Sequence, residues 1–228
     1  MFRKEPPLRR PEVDYRQFRL HKINEPQFRH LWLLLGWVGY FALYFLTENL
    51  ISRERCAVMW CPLDDAIPFC EWFVIPYVGW YGLVVFSLGY FLLYDVRRFK
   101  ELQGYIIVTQ VVAMAVYILF PSCQNLRPEA MPRDNLLTRC VGLLYAFDTS
   151  TNVCPSLHVA YSLGMASVWL KRKESSPVWK VCVVVMVVLI CLSTAFIKQH
   201  SVVDGLAALP VCLLAEIIIF GLPKWKSR

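Results

Sequence analysis

Six apolar stretches separated by charged or polar segments dominate the chain: roughly Leu31 to Ile51, Phe73 to Tyr94, Tyr105 to Phe120, Leu157 to Leu170, Val178 to Ile197 and Val202 to Leu222. A helix of about 20 apolar residues spans a bilayer, so the pattern predicts six transmembrane helices, the third and fourth being the shortest. Three of the connections are short and charged: DVRRFKELQ from Asp95, KRKESSP from Lys171 and the terminal PKWKSR. The other two, residues 52 to 72 and 121 to 156, are longer, and the second contains Pro121, Pro128, Pro132 and Pro155. Loops of that length in a compact protein are uncommon and often functional. The expected architecture is therefore an all-α membrane protein, six transmembrane helices in one bundle over residues 31–222. A basic tail of residues 1–30 precedes it and a short tail of residues 223–228 follows.

Composition strengthens the membrane assignment, since 57% of the 228 residues are hydrophobic and only 18% are charged. A net charge of +7 raises nucleic acid as a partner, but the placement of the charges points elsewhere. With the N-terminus in the cytoplasm, 18 of the 24 basic residues fall on inside segments. Only Arg53, Arg55, Arg127, Arg133, Arg139 and Lys198 fall outside. That bias matches the positive-inside rule, puts both termini in the cytoplasm and makes the cell membrane, not nucleic acid, the partner. No separate apolar run precedes Leu31, so no secretory signal fits and the first span is expected to stay. Trp32, Trp37, Trp72, Trp80, Trp169 and Trp179 lie mostly near span ends, where interfacial anchors sit. Cys182, Cys191 and Cys212 read as small apolar fillers within spans. Cys56, Cys61, Cys70, Cys123, Cys140 and Cys154 fall on or beside the outer segments, where disulfides are open to them in fifteen pairings.

Three polar stretches reach the same outer boundary: PSCQNLRP (121–128), CPSLH (154–158) and STAFIKQHSVVD (193–204). His200 and Asp204 are four residues apart, so on a helix the carboxylate faces one ring nitrogen and leaves the other free as a nucleophile. Ser193 would share that face on a continuous helix; Lys198 joins only if the chain breaks beside it. Pro155 and Ser156 suit a helix start, whose free amides bind anions. His158, in that first turn, is placed to protonate a leaving oxygen, and Arg127 offers a planar cationic fork for phosphate. Catalytic His200, His158 and Asp204, with Arg127, Ser156 and Lys198 binding phosphate, fit phosphoryl transfer through a phosphohistidine. No HExxH or paired CxxC spacing points to a metal, and no cofactor is expected. Asp64 and Asp65 are expected to shape the outer loop or line a headgroup opening, Pro210 to kink the last span, and Glu216 to be protonated, paired or snorkelling near the inner boundary.

CPSLH and the distant STAFIKQHSVVD resemble the second and third signature motifs of the type 2 phosphatidic acid phosphatase superfamily, and LRP resembles the end of its first. DDAIPFCEWFVIPYVGWY, from Asp64, is similar to the branch that includes inositol phosphorylceramide synthase. The resemblance covers the second to sixth spans and implies a metal-independent six-helix core with the three catalytic roles given above. Phe120 stands where the first motif carries a lysine, Thr194 where the third carries an arginine, and Leu157 where the second carries a glycine. The resemblance implies that Lys198 takes the place of one missing cation.

The function expected first is an integral-membrane lipid phosphatase acting on a phosphomonoester or pyrophosphate of a phospholipid or prenyl phosphate, with its site on the extracytoplasmic side. The alternative is a phosphotransferase that passes a phospho-headgroup to an alcohol. The third is a transporter or scaffold without catalysis. Nothing in the sequence sets an oligomeric state.

Overall fold

The computed structural model describes residues 11–221; Arg3, Lys4, Arg9, Arg10 and the tail with Lys224, Lys226 and Arg228, part of the charge bias above, lie outside them. The fold is all-α. Its principal helices are α1 (Leu35–Leu50), α2 (Pro62–Ala66), α3 (Val74–Tyr94), α4 (Val96–Leu119), α5 (Leu136–Phe147), α6 (Leu157–Lys171), α7 (Pro177–Phe196) and α8 (Val202–Glu216). Among the described residues, five helical segments are long and apolar enough to cross a membrane: Arg29–Leu50, Glu71–Tyr94, Val96–Leu119, Pro177–Phe196 and Val202–Gly221. The expected fourth span, α6, has 15 residues and falls short of that length. At 1.5 Å per residue it measures about 22 Å, against about 30 Å of hydrocarbon.

The shortness of α6 is compatible with its place. It packs against α3, α4, α7 and α8 and buries most of its residues, so it forms the axis of the bundle while its neighbours face outward. Close packing fixes Gly164 on this helix: a Cβ there would sit 2.5 Å from Cδ1 of the buried Tyr105 ring on α4. Trp80 and Trp169, expected as interfacial anchors, are core residues 8% and 2% exposed; Trp169 Nε1 donates to Ser87 Oγ at 3.0 Å. Ring packing holds both inside, Trp169 against Phe91 with centroids 4.3 Å apart and Trp80 against Tyr161 at 5.6 Å, since lipid itself offers no hydrophobic drive to bury them.

At one end of the bundle basic residues meet acidic partners. Arg172, almost fully buried, donates to Asp95 Oδ2 at 3.0 Å, Arg98 pairs with Glu101, and Lys171 pairs with Glu216. Glu216 is thus paired, as one of its expected states had it. The segment before α1 folds onto this end: Glu12 accepts from the Val96 amide at 2.7 Å, and Tyr15 Oη bonds His30 Nε2 at 2.7 Å. Pro210 lies inside α8, which continues past it to Glu216.

At the opposite end the long loops pair with one another. Residues Ala57–Val58 (β1) and Ser122–Cys123 (β2) form a two-residue parallel ladder, and Cys123 bridges Thr151 on the other side. The second long loop also contains α5, a helix that proline spacing concealed; Asn135 caps it by accepting from the Thr138 amide. Glu71 accepts both forks of Arg133, at 2.7 and 2.6 Å, tying the start of α3 to the approach to α5. All nine cysteines are free thiols.

Replacing Gly164 by alanine is expected to lower the melting temperature of the detergent-solubilised protein, because overpacking costs about 1–3 kcal/mol and exceeds the helix-propensity gain of about 1 kcal/mol. Gly39, with nothing within 4 Å of its Cβ position, is the control: Gly39→Ala is expected to be neutral or stabilising. Equal melting temperatures for the two variants would contradict the packing described.

Candidate active site

The site begins where α7 fails to run into α8. Lys198 adopts φ 56°, a left-handed conformation costing a non-glycine residue about 1–2 kcal/mol, and it breaks the helix. The amides of Gln199 and His200 both return to the Thr194 carbonyl, at 3.0 Å each, which closes the turn. Ser201 then caps α8: its hydroxyl accepts from the Val203 amide, while its own amide donates to Asp204 Oδ2 at 3.0 Å. The same Oδ2 lies 3.2 Å from His200 Nδ1, so one carboxylate serves both the helix cap and the imidazole. Asp204 is fully buried and His200 is 7% exposed.

The CPSLH stretch is stitched directly to this turn. Ser156 donates its amide to the Asp204 carbonyl at 3.0 Å and forms the N-cap of α6, and Tyr117 Oη donates to the Pro155 carbonyl at 2.7 Å. No side chain caps the first amides of α6. His158 stacks on Tyr77, with ring centroids 4.4 Å apart, touches Trp80 at 4.2 Å and lies 5.6 Å from the His200 ring. Five buried atoms in the three motif stretches have no hydrogen-bond partner: Ser156 Oγ, His158 Nε2, Asp204 Oδ1, Arg127 Nε and Gln124 Nε2. Each such orphan costs on the order of 1–3 kcal/mol unless a ligand or water meets it.

Arg127 reaches the same neighbourhood through the backbone. Its Nη1 donates to the Tyr145 carbonyl at 3.0 Å, and its Nη2 donates to Gln199 Oε1 at 2.9 Å and to the Asp148 carbonyl, with the guanidinium 4.3 Å from the Tyr145 ring centroid. Most of its fork is therefore committed to protein acceptors. Lys198 is placed differently from the expectation: Nζ donates to the Asp64 and Ile67 carbonyls, clamping the first long loop, and does not line the histidines' cavity. The left-handed turn swings its side chain toward that loop. Burial pushes its ammonium down from the ordinary lysine value, against the opposing charges of Asp64 and Asp65. Ser193 is buried and donates to the Ile190 carbonyl within α7.

A cavity of about 490 Å³ opens beside His158 and His200, bounded by α1, α3 and α6. Asp148, Gln199 and Tyr81 line it with the two histidines, and Tyr77 Oη fixes Asp148 by donating to Oδ2 at 2.6 Å. None of these was singled out from the sequence. The usable signal was aromatic spacing: Trp37, Tyr40, Phe41 and Tyr44 on α1 recur at helical intervals, as Tyr77 does with Trp80 and Tyr81 on α3. Among the described residues no three His, Cys, Asp or Glu side chains form a metal-ligating group. No protein-family model, no curated protein and no solved structure matches the chain.

Asp64 resolves into a structural role. It is 2% exposed and accepts from the Cys61 amide, from Ser201 Oγ at 2.5 Å and from the Val202 amide at 2.8 Å, so it caps α8 from across the loop. Burial alone raises this carboxyl, but the hydrogen bonds from Ser201, Val202 and Cys61 outweigh it and hold the group below the ordinary aspartate value. A depressed folded-state value means that the contribution is present above the unfolded value and is lost as pH falls through the folded one. Thermal stability is expected to drop below about pH 4, and Asp64→Asn is expected to be less stable at neutral pH and to flatten that drop. Parallel pH profiles for the variant and the parent would refute it.

Proposed function

We propose that the chain is a multi-span membrane enzyme that hydrolyses a phosphomonoester or pyrophosphate of a phospholipid or prenyl phosphate through a phosphohistidine. The observation that supports this most is the buried His200–Asp204 pair, bonded at 3.2 Å and facing the His158 ring across a cavity. With Nδ1 held by Asp204, Nε2 of His200 is the nitrogen available to attack phosphorus. The N–P bond forms as the P–O bond to the lipid breaks, and His158 gives its proton to the departing oxygen. His158 then takes a proton from water, which attacks phosphorus and releases His200. Ser156 Oγ, the uncapped amides of α6 and Arg127 Nε are the donors left for the phosphate oxygens.

Transfer to an alcohol is the second reading, favoured by the burial of both imidazoles, which restricts bulk water. In the topology that accompanies the proposal, α6 is a shielded sixth crossing of the cell membrane. The Arg98, Lys171 and Arg172 end is cytoplasmic, as are both termini, and the histidines lie on the extracytoplasmic side.

Incubating the purified protein with phosphatidic acid or a prenyl pyrophosphate labelled with radioactive phosphorus is expected to place acid-labile label on the protein. His200→Ala is expected to abolish it together with turnover, and His158→Ala to slow turnover by about two to four orders of magnitude. Free phosphate as product marks hydrolysis and a new phospholipid marks transfer. Full turnover by folded His200→Ala would refute both readings.

Topology is tested by cysteine labelling in a chain stripped of native thiols. An impermeant maleimide is expected to label Glu129→Cys in intact cells and Lys173→Cys only after lysis. The reverse pattern would overturn the orientation.

A further inference from the structure

The cavity beside the histidines is unlike a container for an anion alone. Nine of its 22 lining residues are Phe, Tyr or Trp, no Lys or Arg lines it, and Asp148 places a carboxylate in its wall. Lys198 Nζ and the two terminal nitrogens of Arg127 point at backbone carbonyls and at Gln199 instead, and neither side chain lines the cavity. Glu48, at the outer end of α1, is occupied by the Thr149 and Thr151 hydroxyls and the Asn152 amide. An anionic group at the Asp148 end of this space would face a carboxylate with no lining cation beside it, and a plain hydrocarbon tail would leave that carboxylate facing apolar carbon, a costly arrangement.

A cation resolves both conflicts. Aromatic faces attract an ammonium group through their quadrupoles, most strongly for tryptophan, and rings assembled around a carboxylate form a cage for alkylammonium groups. Trp37, Tyr40, Tyr44, Trp80 and Tyr81 supply rings from two helices, and Asp148, fixed by Tyr77, supplies the counter-charge. Tyr77 and Trp80 also pack on His158, so the cage adjoins the proposed phosphate position.

We propose that the Asp148 end of this cavity receives an alkylammonium group, the cationic end of a zwitterionic lipid headgroup. The inference rests on the phosphoryl-transfer reading only in placing the headgroup phosphate beside His158 and His200. Recognition of the ammonium itself requires no turnover.

The test uses full-length protein carrying His200→Ala in maltoside micelles, so that binding is read without chemistry. Quenching of tryptophan fluorescence is titrated with dihexanoyl phosphatidylcholine, dihexanoyl phosphatidylethanolamine and dihexanoyl phosphatidylglycerol. The choline lipid is expected to bind about tenfold or more tightly than the glycerol lipid, a ratio in the range of a desolvated cation–π site. Asp148→Asn is expected to erase most of that preference while leaving the glycerol lipid's affinity in place, which also controls for folding. If Asp148→Asn does not accumulate, Tyr81→Leu, at the exposed edge of the cage, is expected to reduce the same preference. Choline above ethanolamine identifies a quaternary site, and equal affinities identify a general ammonium site. Equal binding of all three lipids, or a uniform loss in Asp148→Asn, overturns the proposal. Absence of phosphohistidine in the parent protein would sink the catalytic reading and leave this binding result standing.

Discussion

The Asp204 carboxylate is the group on which the loop-bearing half of the molecule depends. One oxygen accepts from the Ser201 amide and His200 Nδ1 together, and the residue's carbonyl accepts from Ser156. Those three bonds start α8, orient an imidazole and dock the beginning of α6. Because Asp204 is fully buried, little water competes for it, and the local dielectric makes each bond stronger than its surface equivalent. The left-handed turn at Lys198 makes the arrangement possible, since a continuous helix would leave no cap residue for the carboxylate to serve.

The two long loops act as a brace for this junction. Asp64 caps α8 from one side, Lys198 holds the Asp64 and Ile67 carbonyls from the other, and Arg127 links Gln199 to the Asp148 and Tyr145 backbone. The three polar stretches thus meet through backbone groups as much as through side chains. Charged residues that seem available for a ligand when read singly are partly consumed by the assembly that positions the histidines.

That division explains what was legible in the sequence. Apolar runs marked five membrane-length helices because length and composition carry that information directly. The short α6 stood out by its proline and serine start, yet its central burial depends on the neighbours and not on its own pattern. His200 and Asp204 were legible as a pair because their spacing is local. The destination of Lys198 was not, since it depends on a backbone sign change and on carbonyls more than a hundred residues away. The bond between Asp148 and Tyr77 was invisible for the same reason: 71 positions separate them. Helix α5 was hidden by the prolines before it, which interrupt the segment without preventing a capped helix further on.

Helix α1 meets the bundle chiefly along α4 and is pinned at its two ends, by Glu48 to residues 149–152 and by Trp37 Nε1 to Gln103 Oε1 at 3.0 Å. Between those pins its aromatic face forms one cavity wall; it meets α6 where Trp37 packs edge-on against Tyr161, ring centroids 5.7 Å apart, and supplies none of the hydrogen bonds of the His200 turn. Size and shape selection are therefore mechanically separable from the reacting groups. Redesign along this one wall offers a way to alter which headgroup fits while the imidazole scaffold stays untouched.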